Sequence, residues 1–207
     1  MWFLKRIACV VVGVISVAAC TEPVTEATTK PSYDLTEHHV QFFHALRQLC
    51  GKAYAGKRIV ARNDERELLN GDEKLIAHFR ECSENQLLVP FHIEQPETDS
   101  WDRSRTWVYT LFSDHISLSH DHRLESGEHD PNTGYGGRTL GSGSAKQQLF
   151  IFTERTGEKG EILGWRIEIL PGERYSYGTM ADGHWTWRID FDLSREIEPP
   201  QAPWGHE

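Results

Sequence analysis

The pattern of apolar residues predicts one helix near the start of the chain. In the segment TEHHVQFFHALRQLCG, from Thr36 to Gly51, apolar side chains recur at helical spacing, Thr36 can cap the first turn and Gly51 can end the last. The face predicted to be buried carries Val40, Phe43, Leu46 and Leu49. His38 and His39 are expected on the solvated side of this helix.

After the helix, apolar and polar residues alternate, as they do in half-buried strands. Nine segments are short, rich in β-branched and aromatic residues, and separated by clusters of Gly, Asp, Asn and Pro. They are KRIVARN (57–63), EKLIAHFREC (73–82), NQLLVPFHIE (85–94), RTWVYTLF (105–112), HISLSHDHR (115–123), QQLFIFT (147–153), GWRIEILP (164–171), RYSYGTM (174–180) and HWTWRIDFDL (184–193). ADGH, before the last segment, is a hairpin signal.

These segments predict a mostly β protein, an antiparallel meander with one N-terminal α-helix. Closing the meander into a barrel removes the exposed strand edges. We therefore favour a closed or partly open barrel, with a sandwich as the alternative.

The N-terminal sequence predicts localisation in the cell envelope. Lys5 and Arg6 precede an apolar run that is shorter than the roughly 20 residues of a membrane span. The run ends in VAAC, which resembles a bacterial lipobox with Cys20 as the lipidated residue; in the alternative, an ordinary signal peptide is cleaved nearby. Thr21 after this cysteine resembles the pattern of outer-membrane lipoproteins, anchored on the periplasmic face.

The predicted organisation has four parts. Residues 1–19 form a lipoprotein signal peptide, 20–33 a lipid-anchored flexible tether, 34–194 a single β-rich domain and 195–207 a proline-rich tail. The membrane, through Cys20, is then one partner, and an envelope protein is a candidate second one.

Charge and cysteine content add two expectations. The net charge of −9 becomes −11 once Lys5 and Arg6 leave with the signal peptide, and no basic stripe marks a nucleic-acid partner. Cys50 and Cys82 are expected to form a disulfide in an oxidising compartment, closing a loop of about 33 residues worth about 3–4 kcal/mol. A metal-binding pair is the alternative, but no CxxC spacing supports it.

The hairpin from Arg103 to Arg123 carries the candidate chemistry. With a turn between Ser113 and Asp114, paired residue numbers sum to 227, so Trp107 faces His120 and Arg105 faces His122 on one face. Arg103 is expected one pleat further along that face, whereas Asp121 should point to the other face and pair with Arg123 or a neighbouring strand. The segment ESGEHDPNTGYGG (125–137) is predicted to be a wide loop.

Three functions fit this cluster. Two histidines beside Arg105 suit a small anionic or polar ligand. Alternatively, His120, His122 and Asp130 hold a metal or act as acid and base in a hydrolase, although the adjacent Arg105 cation weakens a metal site. In the third, the protein has a structural or assembly role and the polar groups satisfy one another. No GxSxG, HExxH, Walker or GxGxxG motif is present, so we favour a non-enzymatic protein and predict no cofactor.

The chain also resembles a family of uncharacterised bacterial secreted proteins and lipoproteins. The resemblance is carried by LCGKAYAGK, Cys82, PFH (90–92), DRSRTWV, SHDHR, TGYGG and GSAKQQ. It implies one extracytoplasmic domain without an established activity. The polar residues of these motifs, proposed as ligand-binding, are His92, Arg103, Arg105, His120, His122 and Tyr135.

Overall fold

Ten antiparallel strands close on themselves into a barrel, and an eleventh short strand lies outside the ring. The structure is a computed structural model, and it describes residues 35–62, 64, 67–152 and 154–207. The predicted signal peptide, tether and lipidated Cys20 lie outside the described residues.

The strands follow one another around the barrel almost entirely in chain order. Their bounds are β1 Ala53–Val60, β2 Leu75–His78, β3 Glu81–Cys82, β4 Gln86–Gln95, β5 Ser100–Leu111, β6 Ile116–His122, β7 Gly136–Thr139, β8 Gln147–Ile151, β9 Leu163–Leu170, β10 Arg174–Ala181 and β11 His184–Ile197. β11 pairs with β1, and β2 pairs with both β1 and β4, which closes the ring. The predicted barrel is confirmed, and the sandwich alternative is wrong.

The single helix, α1 (Glu37–Arg47), packs against β8 and β9. Thr36 is its N-cap, as predicted, but the buried face is shifted from the expected one. Val40 is 46% exposed, whereas Phe42 and His39 are buried. His39 can be buried because both ring nitrogens are bonded: Nδ1 accepts from the Thr36 amide at 3.1 Å and Nε2 donates to the Gly141 carbonyl at 2.9 Å.

One strand lies where a loop was expected. β7 begins at Gly136, inside the predicted loop 125–137, and pairs with β6 and β8. A Cβ at Gly136 would lie 2.0 Å from the Leu118 carbonyl oxygen, and one at Gly137 would lie 2.6 Å from that of Ile151. The two glycines therefore permit close approach of neighbouring strands, a use of glycine that sequence alone does not distinguish from a turn.

The hairpin register that places the candidate residues is confirmed. Arg105 pairs with His122, Trp107 with His120 and Leu111 with Ile116. The ADGH hairpin is also confirmed, because Ala181 pairs with His184 across a tight turn in which Asp182 and Gly183 both have positive φ.

Aromatic rings fill the interior of the barrel. Phe91, Trp107 and Tyr177 form a stack, with ring centroids 4.9 Å and 3.8 Å apart. Nearby, the hydroxyl groups of Tyr109 and Tyr175 are 2.5 Å apart and fully buried. These rings form part of one continuous core inside the barrel.

The predicted disulfide between Cys50 and Cys82 is confirmed, with a sulfur–sulfur distance of 2.04 Å. It joins the turn after α1 to β3. Among the described residues, no helix has the length and hydropathy needed to cross a membrane.

The double substitution Cys50→Ala/Cys82→Ala should lower the free energy of unfolding by about 3–4 kcal/mol, because it releases a loop spanning a sequence separation of 32 residues in the unfolded chain. Guanidinium denaturation of the oxidised protein and the variant measures the difference. A reducing agent should shift the wild-type midpoint and leave that of the variant in place. Equal midpoints for variant and oxidised wild type would contradict a stabilising disulfide.

Candidate ligand-binding site

A cavity of about 990 Å³ opens at the end of the barrel that carries loops 61–74 and 152–162. Inward-facing residues of the strands form its walls, and most of its lining rings are buried. The aromatic residues of the wall are Phe91, Trp107, Tyr135, Phe152, Trp165, Tyr177 and Trp187. Concave, mainly apolar cavities with a few polar groups are the usual form of small-molecule sites.

The charges around the cavity nearly balance. Its lining contains the cations Arg62, Arg105, Arg155 and Lys159 and the anions Asp64, Glu158 and Glu161. Arg105 also forms an ion pair with Asp102. Counted over the described residues, the lining has one cation more than it has anions, which suits a single acidic or polar group better than a highly charged ligand.

His120 lies deep in the wall and both of its ring nitrogens are bonded. Nδ1 lies 3.1 Å from the Tyr135 backbone carbonyl, which can only accept, so Nδ1 carries the proton. Nε2 therefore accepts from the Tyr177 hydroxyl at 2.5 Å. Burial lowers the pKa of His120 to about 3, so this imidazole is neutral at physiological pH.

His122 lies closer to the opening and forms the polar part of the site with Tyr135. The Tyr135 hydroxyl is 3.0 Å from Nε2 of His122. Burial lowers the pKa of His122, and the neighbouring Arg105 lowers it further against the opposing effect of Asp130 and Asp102. The Tyr135 ring stacks on His120, with centroids 4.4 Å apart and planes within 8°.

Arg105 is held in place from one side. Its Nη1 donates to the Asp102 carboxylate and, at 2.9 Å, to the Ser104 hydroxyl. Burial raises the pKa of Asp102, but Arg105 and the bonds from Ser104 outweigh it, and the pKa stays below its ordinary value. All side-chain hydrogen bonds of Arg105 to the described residues use Nη1, so Nε and Nη2 remain available to a ligand.

Two of the proposed ligand-binding residues lie elsewhere. Between the pairs Phe91↔Arg105 and Ile93↔Asp102, β5 contains one extra residue, a bulge. The bulge brings Asp102 to the side of Arg105 and turns Arg103 outwards, where its Nη1 donates to the Ala202 carbonyl at 2.5 Å. His92 also lies on the outer face, between Phe91 and Ile93 of the core. The expectation that Arg103 follows Arg105 on one face is therefore wrong, because one inserted residue reverses the alternation.

Asp130, the aspartate of the hydrolase hypothesis, lies beside His122, whose backbone carbonyl accepts from the Asp130 amide at 3.0 Å, but its carboxylate bonds neither imidazole. Asp121 points away from the two histidines, as the alternation predicts, and accepts from Arg123 Nε at 3.0 Å. The Asp130 carboxylate accepts from the Asn132 amide at 2.7 Å, within its own loop. No group of three or more His, Cys, Asp or Glu side chains within the described part of the chain is arranged to hold a metal ion.

Sequence reasoning missed much of the cavity wall. Trp165, Tyr177 and Trp187 lie on strands distant in sequence from the HDHR segment. In the sequence, these aromatic residues occupy the alternating positions of β9, β10 and β11 that face inwards. The sequence did not show which strands lie next to them around the barrel. Asp102 was missed because the bulge that turns it towards Arg105 leaves no sequence pattern.

Comparisons with known proteins add no relative. No protein-family model, no curated protein and no solved structure matches the chain significantly.

His120 should remain the neutral Nδ1–H tautomer from pH 8 to pH 5, because burial holds its pKa near 3. Long-range ¹⁵N–¹H NMR reports tautomer and charge directly.

The same pKa difference affects the stability of the fold. In the unfolded chain the pKa of His120 is 6.5, so its contribution to the free energy of unfolding is complete above pH 6.5 and is lost as the pH falls towards 3. An imidazole that charges near pH 6.5 would exclude the hydrogen-bonded arrangement described here.

Proposed function

We propose that this barrel is a binding module for a small molecule with a flat apolar body and one acidic or polar group. The observation that carries the proposal is the aromatic-walled cavity with Arg105, His122 and Tyr135 on its polar side. Its volume of about 990 Å³ lies at the upper end of the range of small-molecule sites.

The aromatic walls of the cavity determine which chemical groups suit the apolar part of the ligand. Trp165, Trp187 and Tyr177 offer ring surface rather than hydrogen-bonding groups, since the Trp187 indole nitrogen already donates to Glu67 at 3.0 Å and the Tyr177 hydroxyl donates to His120. Ring surfaces favour flat, apolar groups, which stack on them. This body would lie deeper in the barrel than the charged rim.

The polar side determines the head group. Free nitrogens of Arg105 and the Tyr135 hydroxyl can donate to a carboxylate, a phosphate or a neutral oxygen. Because Asp102 neutralises most of the charge of Arg105, a ligand with a single acidic group matches the site better than a polyanion.

We further propose that the barrel is anchored by a lipid on Cys20 at the periplasmic face of the outer membrane. The support comes from the N-terminal sequence. A disulfide between Cys50 and Cys82 is in keeping with an extracytoplasmic compartment.

The hydrolase alternative has weaker support than binding. His120 cannot offer Nε2 to a metal without losing the Tyr177 bond, and the Asp130 carboxylate is engaged by the Asn132 amide. A protein with only a structural or assembly role remains the alternative that a binding experiment separates from ours.

Anilinonaphthalene sulfonate, a fluorescent aromatic anion, should bind the wild-type protein saturably with one site. The double variant Asp102→Asn/Arg105→Gln, which removes the cation without leaving an unpaired carboxylate, should raise Kd about 10- to 150-fold, the equivalent of one charged hydrogen bond. Arg103→Gln is the matched control, since this arginine lies two residues away on the outer face. Unchanged affinity in the double variant would refute the head-group site, and no saturable binding would favour a structural role.

Zinc analysis of untagged protein purified without chelator should find far less than one ion per chain, because His120 Nε2 is engaged by Tyr177. The double variant His120→Ala/His122→Ala is the comparison. One ion per wild-type chain that disappears in this variant would favour the hydrolase alternative.

A further inference from the structure

A patch on the outer face of the barrel is buried although its residues point away from the core. Leu75, Ala77, Phe91 and Ile93 belong to the core, so their strand neighbours face outwards. Among these neighbours, His78 is only 8% and His92 only 1% exposed. On the adjoining β5, Thr106 is 3% exposed, opposite Pro90. Another part of the chain must cover this patch.

The cover is the C-terminal segment, residues 202–207, which we call the C-terminal strap. Arg103 donates to the Ala202 carbonyl and accepts, through its own carbonyl, from the Trp204 amide at 3.2 Å. Further along, Arg80 Nη1 donates to the His206 carbonyl at 2.7 Å, and His206 Nε2 lies 2.8 Å from Asp121. Arg80 and Arg103 flank the two histidines and both bind the strap, so the strap runs across the patch.

Both imidazoles are buried in this patch, and no hydrogen bond joins either of them to the strap. Neither ring nitrogen of His92 has a hydrogen-bond partner among the described residues, and Nδ1 of His78 has none there either. A buried imidazole without a partner is tolerated only when neutral, since burying an unpaired charge is far more costly.

We propose that the C-terminal strap is a detachable cover that opens on acidification, when His92 and His78 take up protons. Opening would bring the two imidazoles into water and free the guanidinium groups of Arg80 and Arg103 from the strap carbonyls. The proposal concerns the outer face and is independent of a ligand in the cavity.

The charged groups around the patch favour opening of the strap at low pH. They are His78, Arg80 and Glu81 from the β2–β3 region, Asp102 and Arg103 on β5, Asp121 on β6, and His206 and Glu207 in the strap. Arg80 pairs with Glu81, Arg103 lies 4.0 Å from Glu207, and Asp121 is engaged by Arg123 and His206. Burial, His78 and the two arginines lower the pKa of His92, and together they outweigh Asp102, which raises it and is itself paired with Arg105.

The sign and size of the effect follow from the two states of His92. Under the strap, burial lowers its pKa from 6.5 to about 4. The open form therefore binds the proton more tightly, and the ratio of open to closed forms rises as the pH falls below 6.5 and levels off below about 4. At pH 5 this ratio should be about twentyfold higher than at pH 7.

Amide hydrogen exchange tests the proposal on the full chain. The Trp204 amide, bonded to the Arg103 carbonyl, exchanges when the strap opens. After correction for the intrinsic rate, its protection should fall about twentyfold from pH 7 to pH 5, with Ile189 in the barrel as the internal reference. Equal Trp204 protection at both pH values would overturn the proposal.

Two variants separate the histidine from other causes. His92→Leu and His92→Gln both remove the titrating group, and either one should abolish most of the pH-dependent loss of Trp204 protection. His184→Gln, at an exposed position on β11, is the matched control and should behave as wild type. A loss that persists unchanged in both His92 variants would overturn the proposal, because the proton would then act elsewhere.

Discussion

The pairing of β2 with both β1 and β4 is the constraint on which the rest of the structure depends. It removes the free edges of the meander and converts a sheet with two solvent faces into a wall with an inside and an outside. Every residue in a strand is thereby assigned to one side by its parity. Aromatic rings on the inner side form part of the core and line a cavity at one end.

A single bulge in β5 modifies this assignment and creates two different polar regions. Arg105 and Asp102 become partners inside, next to His122 and Tyr135. Arg103, only two residues from Arg105, joins the outer face and holds the C-terminal strap. Residues of one short motif, DRSR, thus line the cavity and hold the strap on opposite sides of the same wall.

The two regions treat their histidines differently. His120 is buried with both nitrogens bonded, and it ties the backbone of Tyr135 to the core through Tyr177. His92 is buried with neither nitrogen bonded to a described residue. A fully bonded imidazole stabilises a rigid wall, whereas an unbonded one makes the segment that covers it sensitive to protons.

Much of the fold was accessible from local pattern. Strand alternation and turn residues determined the β-rich meander, the register that pairs Arg105 with His122, and the outward direction of Asp121, because each depends on neighbours close in sequence. The sequence by itself also determined the Cys50–Cys82 bond, since these were the two cysteines left after the N-terminal region. Only the tertiary structure decided that His39 is buried and that Gly136 and Gly137 belong to a strand. It also placed Arg103 and His92 outside the cavity. The cavity wall instead contains Trp165, Tyr177 and Trp187. These features depend on the residue inserted in β5 and on contacts between strands that are distant in sequence. The inserted residue lies among polar residues, so the alternation of apolar and polar positions does not reveal it. Contacts between distant strands leave no local pattern at all.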